Sequence, residues 1–123
     1  MPTGNLVLVV DDDPVMREIT RIHLEEAGFR VVLAAGAEDG LQKARSLRPA
    51  LVVMDFAMPG MSGTEAIRSL RADSDTARTP VLMVTAWSSE ASEQQAKALG
   101  AHWLQKPILG DQLVNAVKEL LAA

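Results

Sequence analysis

The 123-residue chain contains no cysteine, so disulfides, thiolate metal sites and thiol nucleophiles are all excluded. A reducing compartment fits that absence. Positive charge is also scarce: twelve Lys and Arg stand against sixteen Asp and Glu, a net charge of −4 with no basic tract. A surface that displaces counterions from a duplex needs clustered cations, so direct nucleic-acid binding is not expected. No apolar run approaches the roughly 20 residues of a membrane span, and Met1 to Asn5 lacks the features of a secretion signal. Linkers, repeats and low-complexity tracts are missing too. With 48% apolar and 23% charged residues, the chain has the composition and size of one globular domain over 1–123, expected in the cytoplasm.

Five short apolar runs punctuate the chain: Leu6–Val10, Arg30–Ala34, Leu51–Met54, Val81–Val84 and a weaker one at His102–Gln105. Continuous Val-rich runs, rather than alternating ones, indicate strands covered on both faces, as in a parallel sheet flanked by helices. Helical patterns separate them. Asp13 and Pro14 make an N-cap and first turn, and Met16, Ile19, Thr20, His23, Leu24 and Ala27 keep helical spacing up to a stop at Gly28. Leu41, Ala44 and Leu47 mark a second helix ending before Pro49. Ser62 to Glu65 has capping-box spacing ahead of Ile67 and Leu70. Ser88 or Ser89 opens a fourth helix, with Glu90 and Glu93 near its positive end and Gly100 closing it. Leu113, Ala116, Val117 and Leu120 form the face of a fifth. His23 reads as a boundary packing residue, and the six methionines as core filler, with Met58 and Met61 shaping the loop after Asp55.

The polar residues that end these runs carry the functional information. The first run stops at Asp11-Asp12-Asp13, the third at Asp55, the fourth at Thr85 and the fifth at Lys106. Parallel strands finish on one edge of an open α/β sheet, where ligands bind. Topology therefore gathers these groups into one crevice. Carboxylates pressed together are unfavourable unless a cation or proton relieves them, and Mg²⁺, which takes oxygen ligands, is the natural candidate. Asp13, placed before Pro14, is read as a helix cap rather than a ligand.

Four stretches in order resemble the receiver domain of two-component response regulators: Val9 to Pro14, Val53 to Asp55 with Met58 to Gly63, Val84 to Ala86, and Lys106-Pro107. The resemblance implies a doubly wound, flavodoxin-like sheet in the order 2-1-3-4-5, with five helices on its two faces. It implies that Asp55 accepts a phosphoryl group and completes the acidic triad around Mg²⁺, that Asp12 binds the ion directly and Asp11 through water, and that the backbone carbonyl of Ala57 is a further ligand. Lys106 and the Thr85 hydroxyl would contact the phosphoryl oxygens. Trp103 occupies the position of the family's switch aromatic, usually Tyr or Phe; a Trp packed permanently against the fourth helix is the alternative. Trp87 falls at the site mouth, where with Ala57 it would tune hydrolysis, or else simply caps the fourth helix.

The implied partners are a sensor histidine kinase or histidine phosphotransfer domain as donor, and a downstream protein on the face of the fourth helix, fifth strand and fifth helix. The chain would not be an enzyme in the usual sense, but an acceptor that catalyses its own phosphorylation and dephosphorylation. A receiver cut from a DNA-binding regulator or hybrid kinase would look the same. A Mg²⁺-dependent phosphohydrolase with an aspartyl-phosphate intermediate also needs strand-end carboxylates, but Asp55-Phe56-Ala57 lacks the second aspartate of that motif. A nucleotide-binding module would want a Gly-rich loop where this chain has three aspartates.

Overall fold

The computed structural model describes residues 5–55, 63–85, 90–105 and 110–122. Strands and helices alternate strictly: β1 (Leu6–Val10), α1 (Pro14–Glu26), β2 (Arg30–Ala34), α2 (Ala37–Leu47), β3 (Leu51–Asp55), α3 (Gly63–Ala72), β4 (Val81–Thr85), α4 (Glu90–Ala98), β5 (His102–Gln105) and α5 (Gly110–Ala122). The strands form one parallel sheet in the order β2-β1-β3-β4-β5. Both the fold class and the strand order match the expectation from sequence. No helix among the described residues is long and apolar enough to cross a membrane.

Because side chains alternate along a strand, each run feeds two cores. Leu8, Val10, Val52, Met54, Val81 and Met83 face α2, α3 and α4, where they meet Leu41, Ala44, Ala66, Ile67, Leu70 and Ala96. Val7, Val9, Leu51, Val53 and Leu82 face α1 and α5, against Leu24, Phe29, Leu113 and Val117. The three inner strands are almost entirely buried, which is why they read as unbroken apolar runs. The outer two depart from that expectation. In β2 only Ala34 is fully buried, and in β5 His102 and Gln105 are exposed, since an edge strand has a neighbour on one side only.

Helix ends follow the local chemistry. The Asp13 carboxylate accepts the Val15 and Met16 N–H groups at the start of α1, with Pro14 in the first turn. Gly28 takes φ +97° just past the end of α1, a conformation that costs other residues strain. By contrast α2 starts at Ala37 behind Gly36 with no side-chain cap, a boundary that no sequence signal marks. At the end of α3, buried Thr76 donates its hydroxyl to the Leu70 carbonyl at 2.7 Å, closing the helix into the segment before β4. The expected openings at Ser62, Ser88 and Ser89 lie outside the described residues.

Candidate phosphoryl-acceptor site

Strand order decides which strand ends become neighbours. With β1 flanked by β3, and Val10 paired to Met54, the residues that follow them, Asp11 and Asp55, emerge side by side at the carboxyl edge. The structure brings Asp11, Asp12 and Asp55 together: one carboxylate oxygen from each lies within 4.8 Å of the others. Asp11 is buried, Asp55 half-buried and Asp12 exposed, so the cluster opens from the sheet edge toward solvent. Asp13 stays outside it and caps α1, as expected. Thr85 ends β4, buried, one strand over from Asp55.

The β1–α1 turn is rigidly bonded. The Asp11 carboxylate accepts the Asp13 N–H at 2.9 Å, and the Asp11 N–H donates to the Ala34 carbonyl of β2. One turn into α1, Arg17 donates from Nη1 to the Asp11 carbonyl at 2.9 Å. Sequence reasoning missed Arg17, because no spacing rule marks a helical arginine that folds back on the preceding strand. Asp12 takes no part in this network and points its charge into the cluster. Three carboxylates offer only hard oxygen donors, which suits Mg²⁺ and disfavours thiophilic metals. Lys106, Ala57 and Trp87, each expected at the site, lie outside the described residues.

Trp103 lies in β5 opposite Met83 of β4, partly buried against the core cluster that includes Ala96 of α4. Near it, a groove of about 600 Å³ is lined by Lys97, His102, Leu104, Ala116 and Leu120. On the face of the sheet that it shares with α5, α1 exposes Val15, Ile19 and Ile22, at 63%, 41% and 41% accessibility, along one side of the helix. Arg21, also on α1, forks between Glu18 and Glu25; its guanidinium holds the Glu18 carboxyl below the usual range. His23 turns inward and its ring lies against the backbone of Gly110, so it is the packing residue expected.

The fold recurs in known proteins. The family model described as the response regulator receiver domain matches residues 7–118. Protein PilH of Pseudomonas aeruginosa is 36% identical over 118 residues, covering 94% of this chain and 97% of PilH. The phosphate regulon regulator PhoB of the same organism is 32% identical across 96% of this chain, which spans 52% of PhoB. Among solved structures, the chemotaxis protein CheY4 of Vibrio cholerae superimposes with a TM-score of 0.90 at 34% identity, covering 96% of this chain and 99% of that one. The receiver domain of the sensor kinase PA1611 of P. aeruginosa, described with magnesium coordinated in its active-site cleft, gives 0.89 at 25% identity, with 98% and 100% covered. Acids gathered at the carboxyl edge of a β2-β1-β3-β4-β5 sheet, in a chain matched almost end to end, place this protein in the response regulator receiver domain family of two-component signalling.

Proposed function

We propose that Asp55 accepts a phosphoryl group from a phosphohistidine donor and that the modified domain presents an altered α4–β5–α5 face to a downstream protein. The observation that carries this reading is the meeting of Asp11, Asp12 and Asp55 within 4.8 Å at the sheet edge of a receiver-family chain. Phosphoryl transfer asks a protein mainly for positioning and charge neutralisation. An Asp55 carboxylate oxygen attacks phosphorus in line, the donor P–N bond breaks as the P–O bond forms, and the electron pair leaves with the imidazole. Asp11, Asp12 and Asp55, with the Ala57 carbonyl, would hold Mg²⁺, which would supply the positive charge that lets the carboxylates coexist and polarise the phosphoryl oxygens. Thr85 donates its hydroxyl to one of those oxygens, and Lys106 its ammonium to another. Water later reverses the modification, with access set by the residues at positions 57 and 87. These contacts make the domain a catalyst of its own phosphorylation and dephosphorylation.

The new group adds about −1.5 to −2 charges and fresh acceptor oxygens. Drawing Thr85 toward them changes the packing beside Trp103, whose strand is bonded to β4. The groove beside Trp103, between β5 and α5, supports this as the surface a downstream partner reads. For the donor, the exposed stripe of Val15, Ile19 and Ile22 beside the acidic cluster suits a helix of a histidine kinase or phosphotransfer domain. Both partners are proteins; neither nucleic acid nor membrane is contacted by this domain, and the location assigned is the cytoplasm, where ATP-charged histidine donors reside.

Incubation with Mg²⁺ and acetyl phosphate, followed by intact mass measurement, tests the assignment. One phosphate-sized gain is expected, absent in Asp55→Asn and absent under chelator. A gain that persists in Asp55→Asn moves the acceptor elsewhere and overturns the reading.

A further inference from the structure

The two ends of α4 are held very differently. Among its described side chains only Ala96 is fully buried; Glu90, Ala91, Gln94 and Gln95 are exposed, and Leu99 just beyond the helix packs on the core. The first two turns therefore have almost no apolar anchorage. The last turn is closed by backbone bonds from Leu99 to Gln95 and Ala96, from Gly100 to Lys97 and from Ala101 to Ala96, with Gly100 at φ +81°.

A side chain from another helix reaches this turn. Arg71, in the last turn of α3, donates from Nε to the Leu99 carbonyl at 2.8 Å and from Nη1 to the Thr79 carbonyl at 2.7 Å, with Ala77 at 3.4 Å. Its Nη2 lies 3.7 Å from where a β-carbon on Gly100 would stand, so the guanidinium sits over that glycine. A planar fork of donors suits bridging carbonyls on separate segments, which a lysine ammonium does less well. Carbonyls at a helix C-terminus carry partial negative charge, and a half-buried cation bonded to them holds more firmly than a neutral donor. One side chain thus joins the end of α3, the segment leading into β4 and the turn leading into β5. The opposite end of α4 begins only five residues after Thr85, on the edge where the acidic cluster lies.

We propose that Arg71 is the pivot of α4: it pins the C-terminal turn, so that a phosphorylation-driven movement of α4 is confined to its N-terminal end and the helix tilts instead of sliding. The pinning stands by itself; the confinement rests on the phosphoryl-acceptor reading above. The test is amide-resolved hydrogen exchange on the full chain, wild type beside Arg71→Met and Arg71→Lys, with and without Mg²⁺ and acetyl phosphate. Phosphate gain is read by intact mass in the same samples.

Without donor, Arg71→Met speeds exchange at Leu99, Gly100 and Ala101 by roughly ten- to hundredfold, the range for losing a charge-assisted hydrogen bond, while α1 amides hold their rates. Arg71→Lys falls between, and decides the matter if Arg71→Met does not fold. With phosphate gained, wild type changes only in the first half of α4, whereas in the variants the change spreads to Leu99–Ala101. A residue that merely stabilised the fold would not alter that spread. Equal exchange at Leu99–Ala101 in wild type and variants overturns the pivot, as does a phosphate-dependent change of equal size at both ends of wild-type α4. Absence of any phosphate gain overturns the acceptor assignment instead, and the donor-free comparison still judges Arg71.

Discussion

Replacing Asp12 by Asn removes one of three negative charges whose oxygens lie within 4.8 Å of one another, and it does so at the exposed member, which takes no part in the hydrogen bonds of the β1–α1 turn. Asp12 is exposed, so the water end of the dielectric range applies, and each of its two pairings with Asp11 and Asp55 costs about 1 kcal/mol at this separation. Salt trims that modestly at contact range. The metal-free variant is therefore expected to be more stable than wild type by about 1–2 kcal/mol, which for a domain of this size raises the melting temperature by about 3–8 °C. With Mg²⁺ the order reverses. Wild type gains about 2.7 kcal/mol at a concentration 100 times its dissociation constant, while the variant has lost a ligand and gains far less. Differential scanning calorimetry of both proteins, in chelator and in saturating Mg²⁺, reads the crossing directly. A variant no more stable than wild type in chelator, with an unchanged response to Mg²⁺, would refute the view that these acids form an electrostatically strained cation site.

Other perturbations follow from the packing. In Gly110→Ala the new methyl would stand 2.4 Å from Nδ1 of His23, so urea unfolding should show a loss of about 1–3 kcal/mol, mostly recovered when His23→Ala is added. Thr76→Val keeps the shape of a fully buried side chain but leaves the Leu70 carbonyl unpaired; a loss of about 1–3 kcal/mol is expected in the same assay, and a neutral result would show the bond to be dispensable. Ile19→Glu, on the exposed stripe of α1, should slow phosphorylation by a histidine phosphotransfer protein by roughly tenfold while leaving the rate with acetyl phosphate unchanged. Equal slowing with both donors would place the defect in the site rather than in docking.

Much of the architecture was legible in the residues because it depends on local pattern. The buried runs of β1, β3 and β4, the Asp13-Pro14 start of α1 and the stops at Gly28 and Gly100 are each determined by a few neighbouring residues and the conformations open to them. The start of α2 behind Gly36 was not legible, since no side chain caps it. Nor was the partial exposure of β2, whose run Arg30–Ala34 reads like an inner strand.

Sequence alone thus determined the strands, the helices and the acids that terminate strands, because hydrophobic periodicity and capping act over one or two turns of chain. Tertiary structure decided which ends meet. The β2-β1-β3 order and its register, not any spacing along the chain, set Asp11, Asp12 and Asp55 within 4.8 Å. The same holds for Arg17 on the Asp11 carbonyl, Arg71 on the carbonyls of Thr79 and Leu99, and His23 against Gly110. Each joins segments whose separation in space is fixed by right-handed crossovers packing helices onto a twisted sheet, a long-range constraint that no local propensity encodes.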